Sequence, residues 1–465
     1  MSQTVAFHGP RLFTLNYSCM QKIVPIFILT LLTLASVAQT YTDSQVKEDL
    51  QFLIGSIEEF EPALYGYNPD FKEKTDAVIR SVVSDMSVLA YFSLASKIVS
   101  LANEGHFNLG DWSDVAHKGF VDNTYKYMPL SVMVIDDRIF VWINSANSEE
   151  LQRGDEILSI NGRASADIIA SMLPYIPSDG HIETYRLKSL TMGFPWMYYL
   201  YVEQPESFAF EYKRQGQRST VTIEALTREG WTANYQQRKS AAPEEATGVK
   251  QVYEFDIKGD VAVLTLKDFT RSLVEKHDLE AGKLYEEIFE QLKTSQVSSL
   301  IVDLRDNTGG RNEFADDLIP FIMKEAGKGL FKTTESWKGK KKDYSLPKMD
   351  KLAFDGAIYA LVNGRTYSAG AEIARYLKEY GNATVIGEET GTRYEGFAAG
   401  STQSIVLPNS GIRIGIPRYH LAFPPSSSQK TSNRGLLPDH EVRYTIEDLM
   451  NEKDLEMEVA LGLIK

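Results

Sequence analysis

The most restrictive feature of this chain is a serine that lies between a strand-like run and a helix-like run. Residues 357–362 are apolar and have the character of a buried strand, and residues 373–380 have helical spacing. Ser368 lies in the turn between them. A serine in such a turn is exposed at the edge of a sheet, where the first N–H groups of the helix can stabilise an oxyanion. The sequence therefore predicts an acyl-transfer nucleophile at Ser368; the alternative is that this serine only caps the helix.

A second strand-like run ends in a glycine-rich turn. Residues 299–305 are apolar and bounded by charge, and the turn that follows ends in Gly309 and Gly310. Two glycines let the backbone turn sharply and expose free N–H groups. Beside a nucleophile, this turn would supply a second oxyanion donor; otherwise it is an ordinary turn at the end of a strand.

Together these turns resemble the C-terminal processing and tricorn-core family of serine peptidases. Four segments carry the resemblance, in the family's order and spacing: residues 303–310 (Asp-Leu-Arg-Asp-Asn-Thr-Gly-Gly), 366–372 (Thr-Tyr-Ser-Ala-Gly-Ala-Glu), 385–391 (Val-Ile-Gly-Glu-Glu-Thr-Gly) and 435–439 (Gly-Leu-Leu-Pro-Asp). The resemblance implies that Ser368 is the nucleophile. It also implies an oxyanion hole formed by the backbone of Ala369 and of the Gly309-Gly310 turn.

The residue that activates the serine differs between branches of this family. C-terminal processing members use a lysine about 25 residues after the serine, in a context that here ends in Arg393. An arginine cannot act as a general base near neutral pH, so the Ser–Lys dyad is absent. The tricorn-like branch uses a histidine from an N-terminal turn, and His106 in Glu-Gly-His matches that position. Imidazole titrates near neutrality, so His106 is the predicted base, with the nearby His117 as the alternative.

The group that would orient the imidazole is less well defined. Tricorn-like members place a glutamate where this chain has Arg434, so the family triad is not reproduced at that position. Glu395 follows the serine at a suitable distance and is the predicted third member. A backbone carbonyl or an amide remains an alternative partner for the imidazole.

The chain is expected to be an α/β multidomain protein. Residues 39–118 are predicted to form an N-terminal helical region, and residues 448–465 a C-terminal helix. Residues 125–228 alternate as strands do, and the string at 151–162, with its Arg-Gly-Asp turn and Asn-Gly hairpin turn, resembles a PDZ domain. Residues 251–447 alternate between strand and helix, in agreement with the crotonase-like fold of the family.

The role of the PDZ-like segment stays open. PDZ domains bind peptide C-termini by adding a strand to a sheet edge, with free N–H groups holding the carboxylate. The usual carboxylate loop is not evident before the first strand, and Pro129 has no N–H to offer. The segment therefore either reads C-termini or has a structural or regulatory role. The aromatic-rich residues 185–210 either line a substrate groove or pack onto a core.

The first 38 residues read as a secretory signal. A short apolar run at residues 23–34 follows Lys22, and small residues precede a cleavage position after Ala38. Met20 fits a true start, which would make residues 1–19 an upstream extension. The run is shorter than the roughly 20 residues of a comfortable membrane span, so export is predicted, with an uncleaved anchor as the alternative.

The charge balance limits the partners of the exported chain. The 465 residues carry a net charge of −14, and removal of residues 1–38 leaves 47 basic and 63 acidic residues, a net charge of −16. This acidity argues against nucleic acid and anionic membranes as partners. The one cysteine, Cys19, precedes the cut, so disulfides and a cysteine nucleophile are excluded. Metal-ligand spacings and phosphate loops are absent, and no cofactor is expected.

The sequence thus predicts an exported serine peptidase that hydrolyses polypeptides, with Ser368 as nucleophile and His106 as base. Two alternatives remain. The first is a protein on the same scaffold that binds peptides or apolar ligands without cleaving them, because arginines occupy two positions of the family's catalytic groups. The second is an esterase or acyltransferase that uses the same site.

Overall fold

The N-terminal region is helical, as its spacing predicts. The structure is a computed structural model that describes residues 40–109, 124–239, 251–426 and 428–464. A capping box opens the first helix, since Thr42 and Gln45 each accept the other's backbone N–H. The elements are β1 (Thr40–Tyr41), α1 (Asp43–Phe60), α2 (Leu64–Tyr67), α3 (Phe71–Arg80), β2 (Met86–Ser87), α4 (Val88–Leu101) and β3 (Asn108–Leu109). The predicted signal and His117 lie outside the described residues.

An antiparallel sheet follows, in the strand order β10-β9-β7-β6-β5, with β8 paired to β7. Asn161 and Gly162 both have positive φ, +50° and +78°, which is the geometry of the predicted two-residue hairpin turn between β7 and β8. The strands are β4 (Lys126–Tyr127), β5 (Leu130–Ile135), β6 (Arg138–Asn144), β7 (Glu156–Ile160), β8 (Arg163–Ala164), β9 (Ser207–Arg214), β10 (Gln217–Glu224) and β11 (Leu226–Thr227); the helices are α5 (Ser165–Met172), a 3-10 turn (Leu173–Tyr175), α6 (Glu183–Tyr201) and α7 (Arg228–Lys239).

Helix α6 carries most of the aromatic-rich segment and lies beside β5. Val134 of β5 donates its N–H to Thr191 Oγ1 of the helix at 3.3 Å. Phe194 and Tyr198 are buried in the same core as Leu130. The free edge of β5, where an added peptide strand would bind, is therefore covered by a helix of the same chain.

A mixed sheet of six strands carries the Gly309-Gly310 turn and the turn of Ser368, in the order β12-β13-β14-β17-β18-β21. Strands β13, β14, β17, β18 and β21 are parallel, as a βα alternation requires, and β12 is antiparallel to β13. The first elements are β12 (Tyr253–Lys258), β13 (Val261–Leu266), α8 (Arg271–Lys276), α9 (Ala281–Thr294), β14 (Ser299–Asp303), α10 (Glu313–Asp316), α11 (Ile319–Ile322), β15 (Leu330–Ser336) and β16 (Lys341–Ser345). The remainder are β17 (Ala357–Val362), α12 (Ala369–Gly381), β18 (Thr384–Gly387), β19 (Gly396–Val406), β20 (Arg413–Ala422), β21 (His440–Glu441), α13 (Ile446–Met450) and α14 (Leu455–Leu463).

A further sheet joins the N-terminal region to the region after the serine. Its order is β16-β15-β20-β19, and β3 pairs with β20 through Leu109 opposite Ile414 and Asn108 opposite Gly415. Because β3 begins two residues after His106, this pairing fixes the course of the chain that carries the histidine. Backbone pairing thus draws a residue from the N-terminal region toward a turn more than 250 residues later.

Candidate active site

Ser368 occupies a strained turn between β17 and α12. Its backbone has φ +52° and ψ −127°, a conformation that is costly for a residue with a Cβ and tends to occur at functional sites. Its N–H donates to Thr392 Oγ1 at 2.7 Å, and Thr366 Oγ1 braces the turn by donating to the carbonyl of Leu304 at 2.8 Å. Ser368 stands at the N-cap of α12, but its side chain makes no capping hydrogen bond. Ser368 as a whole is partly exposed.

The Gly309-Gly310 turn packs directly on the serine. Both glycines have positive φ, +87° and +133°, and a Cβ at Gly309 would lie 2.6 Å from the nitrogen of Ala369 and 2.8 Å from Cβ of Ser368. The N–H of Gly309 already donates to Asn307 Oδ1 at 2.8 Å. The N–H groups of Gly310 and Ala369 make no hydrogen bond with any described residue. Of the predicted oxyanion donors, these two are the ones that remain available.

His106 lies next to the residue that precedes the serine. Its Nδ1 is 2.8 Å from the hydroxyl oxygen of Tyr367, and the imidazole is stacked between the rings of Tyr367 and Phe397 at centroid distances of 4.6 and 5.2 Å. Nε2 is shielded from solvent and lacks a hydrogen-bond partner among the described residues. Burial lowers the pKa of His106, and the charge of Asp179 opposes that shift. The imidazole is therefore neutral near neutral pH, as a general base must be.

Asp179 holds the histidine turn against the segment that follows the serine. Its fully buried carboxylate accepts the N–H of Gly105 at 2.6 Å through Oδ1 and the N–H of Arg393 at 3.0 Å through Oδ2. Sequence reasoning missed this residue, which lies within the predicted PDZ-like segment in a Ser-Asp-Gly string typical of any turn. It missed Tyr367 as well, whose one signal was its place next to Ser368.

Arg393, at the family's lysine position, serves as a structural cation. Its guanidinium is ion-paired with Glu104, donates to the carbonyl of Asn103 at 2.6 Å, and lies 3.9 Å from the ring centroid of Tyr67. Burial alone would lower the pKa of Arg393, but the charges of Glu104 and Asp179 raise it overall. A permanently charged group in this position cannot accept the serine proton.

Glu395, the predicted third member, is not brought to the imidazole by any hydrogen bond within the described residues. Its Oε1 accepts the N–H of Asn433 at 2.6 Å, while Oε2 is buried without a partner there. Arg434, at the family's glutamate position, forms a two-pronged ion pair with Glu389 at 2.7 and 2.6 Å. Across the described parts of the chain, no group of histidine, cysteine and acidic residues could hold a metal ion.

Comparison with known proteins identifies the family of the region that contains Ser368. Residues 260–442 match the model of peptidase family S41. This region belongs to that family. The match contains Ser368 and the Gly309-Gly310 turn, so the resemblance recognised in the sequence is confirmed. His106 lies before it, and its assignment as the base is not tested by the match.

Two curated relatives are similar over part of their length. A carboxy-terminal-processing protease of Bartonella bacilliformis is 27% identical over 214 residues, which are 45% of this chain and 44% of the relative. Carboxyl-terminal-processing peptidase 2 of Arabidopsis thaliana, a chloroplastic protein, is 27% identical over 162 residues, 34% of this chain and 29% of the relative. The chain thus matches less than half the length of either relative.

Among solved structures, the crystal structure of a CPAF mutant superposes over 90% of this chain and 96% of that one, with a TM-score of 0.63 and 12% sequence identity. This likeness extends beyond the family match to the N-terminal helices and the antiparallel sheet, and it supports the predicted mixed α/β multidomain fold. In the described residues, no helix is long and apolar enough to cross a membrane.

Proposed function

We propose that this chain is an exported serine peptidase in which Ser368 is the nucleophile and His106 the general base. One observation carries the proposal: the strained, partly exposed serine directly follows a tyrosine whose hydroxyl is hydrogen-bonded to a buried imidazole with an unpartnered Nε2. Backbone strain at a serine that makes no capping hydrogen bond is typical of a nucleophile held for reaction. The alternative of Ser368 as a mere helix cap has no hydrogen bond to support it.

In the proposed reaction, Nε2 of His106 takes the proton of Ser368 as its oxygen attacks the scissile carbonyl. The oxyanion is held by the N–H groups of Ala369 and Gly310, which preorganise donors worth roughly 3 kcal/mol each. The imidazolium then returns its proton to the leaving amine, and water hydrolyses the acyl-enzyme in the same way. Gly309 shapes this hole by letting the turn approach Ser368, and its own N–H is committed to Asn307.

We further propose a PDZ-like fold for residues 125–228 and a crotonase-like fold for residues 251–447, joined to the helical region at 39–118. The strand order and the Asn161-Gly162 hairpin support the first, and the parallel βα alternation supports the second. Because α6 covers the edge of β5, the alternative in which this module is structural or regulatory is favoured over a reader of C-termini. Export rests on the signal-like residues 1–38.

A fluorophosphonate probe tests the proposal, since it labels only an activated serine. The chain from Gln39 onward should be labelled at one site and should cleave unfolded casein. Ser368→Ala should abolish both, and His106→Ala should reduce both by about 1000-fold or more. Ser404→Ala, at an exposed serine of β19, is the matched control and should retain full labelling. Labelling that survives Ser368→Ala would refute the nucleophile assignment.

A second candidate, a binding protein without hydrolytic activity, is motivated by Arg393 and Arg434. Both arginines have carboxylate partners of their own, Glu104 and Glu389, so a structural role explains both charges. The same experiment separates the two functions: a folded chain that resists the probe and leaves casein intact would be a ligand carrier. Short esters tested beside peptides would reveal an esterase.

A further inference from the structure

The general base needs one particular tautomer of His106. A neutral imidazole carries a single N–H, and the other nitrogen must offer its lone pair to the serine proton. The unpartnered, shielded nitrogen is Nε2, whereas Nδ1 faces a hydroxyl oxygen at 2.8 Å. The productive form therefore has its proton on Nδ1, where it is donated to Tyr367. Without such an acceptor the proton could reside on Nε2 and block the base.

The Tyr367 hydroxyl is suited to accept this proton because it remains a hydroxyl. Burial and the nearby Asp179 carboxylate raise the pKa of Tyr367 well above its usual range. Its oxygen has lone pairs for the Nδ1–H, and its own proton needs an acceptor. Among the described residues this hydroxyl is hydrogen-bonded to His106 and not to Asp179. Asp179 is nevertheless near, because a Cβ at Gly105 would lie 2.5 Å from the Tyr367 oxygen and 3.2 Å from Asp179 Oδ1.

We infer that Tyr367 and Asp179 are the positioning residues of His106, in the role that the sequence assigned to Glu395. The inference rests on the proposed function of His106 as the base. Tyr367 fixes the tautomer through its contact with Nδ1 and the plane of the imidazole ring through stacking. Asp179 supplies the negative charge, and its carboxylate anchors the Gly105–His106 turn by accepting the N–H of Gly105. The hydrogen bond of this arrangement that the structure shows joins the phenol to the imidazole. The carboxylate lies near the phenol, and the serine is the group on which the imidazole acts in the proposed reaction.

Other charged groups near His106 are already engaged. Glu104, two residues earlier, is ion-paired with Arg393 and also accepts the N–H of Ala398 at 2.9 Å. Glu395 is held by Asn433. Asp179 is left as the carboxylate whose charge acts on the imidazole, and it also borders the hydroxyl bound to Nδ1.

The rings extend this arrangement into the module that precedes the family domain. Tyr185, at the start of α6, stacks on Tyr367 with a centroid distance of 4.6 Å, so the order is Tyr185, Tyr367, His106, Phe397. Thr184 donates its hydroxyl to the carbonyl of Glu389 at 2.9 Å, which pins the beginning of the helix. The orientation of the base is therefore supported by α6, the helix that covers β5.

Tyr367→Phe is the decisive variant, because it keeps the stacked ring and removes only the acceptor. In the chain from Gln39 onward, nitrogen-15 spectra of labelled histidine should show the proton of His106 on Nδ1, and this preference should be lost in Tyr367→Phe. The rate of labelling by the fluorophosphonate should fall about 10- to 100-fold, as expected for one hydrogen bond to a catalytic group. Tyr285→Phe, which removes a buried hydroxyl bound to the carbonyl of Phe314 at 2.6 Å, is the control for stability and should change neither readout.

Asp179→Asn gives an independent readout. Loss of its negative charge should move the acid limb of the labelling rate to lower pH, because that charge raises the pKa of His106. A structural role alone would lower the melting temperature and leave this limb in place. The inference is overturned if Tyr367→Phe retains both the Nδ1–H tautomer and the parent labelling rate. If the parent chain has the Nδ1–H tautomer but is never labelled, the proposed function fails while the positioning contact stands.

Discussion

Glu104 and Arg393 form an ion pair that is shielded from solvent at both ends, with 1% and 0% of their side chains exposed, although 289 positions separate them. The pair joins the turn that carries His106 to the segment after Ser368. Glu104 also accepts the N–H of Ala398, and Arg393 donates to the carbonyl of Asn103. The position occupied by a catalytic lysine in one branch of the family thus fastens the histidine turn in this chain.

Breaking this pair should be costly. Glu104→Gln leaves a buried guanidinium without its counter-charge, and such changes reduce the free energy of unfolding by about 3–5 kcal/mol. Urea unfolding followed by circular dichroism measures the loss. Glu211→Gln disrupts the exposed pair with Arg218 and serves as the control, with an expected change below about 1 kcal/mol. If both substitutions reduced the free energy of unfolding equally, the buried pair would contribute no more to stability than an exposed one.

The oxyanion turn should not tolerate a side chain at Gly309. Gly309→Ala places a Cβ 2.6 Å from the nitrogen of Ala369 at φ +87°, so either the hole opens or the serine shifts. The fluorophosphonate labelling rate should fall by about 100-fold or more, the effect of losing one oxyanion donor. Gly216→Ala is the control, since its φ is +85° and its Cβ would meet open space. Both substitutions place a Cβ on a backbone with positive φ. Unchanged labelling of Gly309→Ala, or an equal loss in both variants, would contradict the steric explanation.

Local patterns in the sequence correctly predicted that Ser368 and the Gly309-Gly310 turn each follow a buried strand. Ser368 and Gly309-Gly310 each follow a buried strand, and parallel strands β14 and β17 are neighbours, so both turns meet at one sheet edge. His106 was predicted from the Glu-Gly-His string and the missing lysine. Its route to the site depends on β3 pairing with β20, a long-range contact that no local pattern encodes.

The partners of the imidazole could not be predicted for a similar reason. Asp179 reaches Gly105 across 74 positions, and Tyr367 reaches His106 across 261. Both contacts depend on how the N-terminal region, residues 125–228 and residues 251–447 pack together. Such packing produces no periodic pattern in the sequence. Glu395 was chosen for its distance along the chain after the serine, but its carboxylate binds the backbone of Asn433. Spacing along the chain cannot distinguish a carboxylate that contacts the imidazole from one that binds a backbone N–H elsewhere.

The backbone strain at Ser368 should lower the free energy of unfolding, and a substitution that relieves the strain should raise it. Ser368→Ala retains a Cβ at φ +52° and ψ −127°, whereas Ser368→Gly removes the atom that makes this conformation unfavourable. Both variants lack the proposed nucleophile, so neither should be labelled. The glycine variant should nevertheless be about 1 kcal/mol more stable than the alanine variant in urea unfolding, after the entropy cost of glycine is subtracted. A less stable glycine variant would show that the turn is not strained.

Glu61 should make the stability of the chain depend on pH. This residue ends α1, is 3% exposed, and accepts the N–H of Ala63 at 2.9 Å. Burial raises its pKa to about 7, against the opposing effects of that hydrogen bond and of Arg393. Between its ordinary pKa near 4.5 and this value, the folded chain keeps a proton that the unfolded chain has released. The free energy of unfolding therefore falls as the pH rises through this window and levels off above it.

Glu61→Gln replaces the protonated carboxyl with a neutral amide and should remove this dependence. At pH 4.5 the variant and the parent should be similarly stable, and at pH 8 the variant should be more stable by roughly 2–4 kcal/mol. Urea midpoints at the two pH values give the comparison, with Glu59→Gln at an exposed position of the same helix as the control for a lost charge. Because the parent must bury an ionised carboxylate only above pH 7, a variant with the same advantage at both pH values would place the effect in packing and not in ionisation.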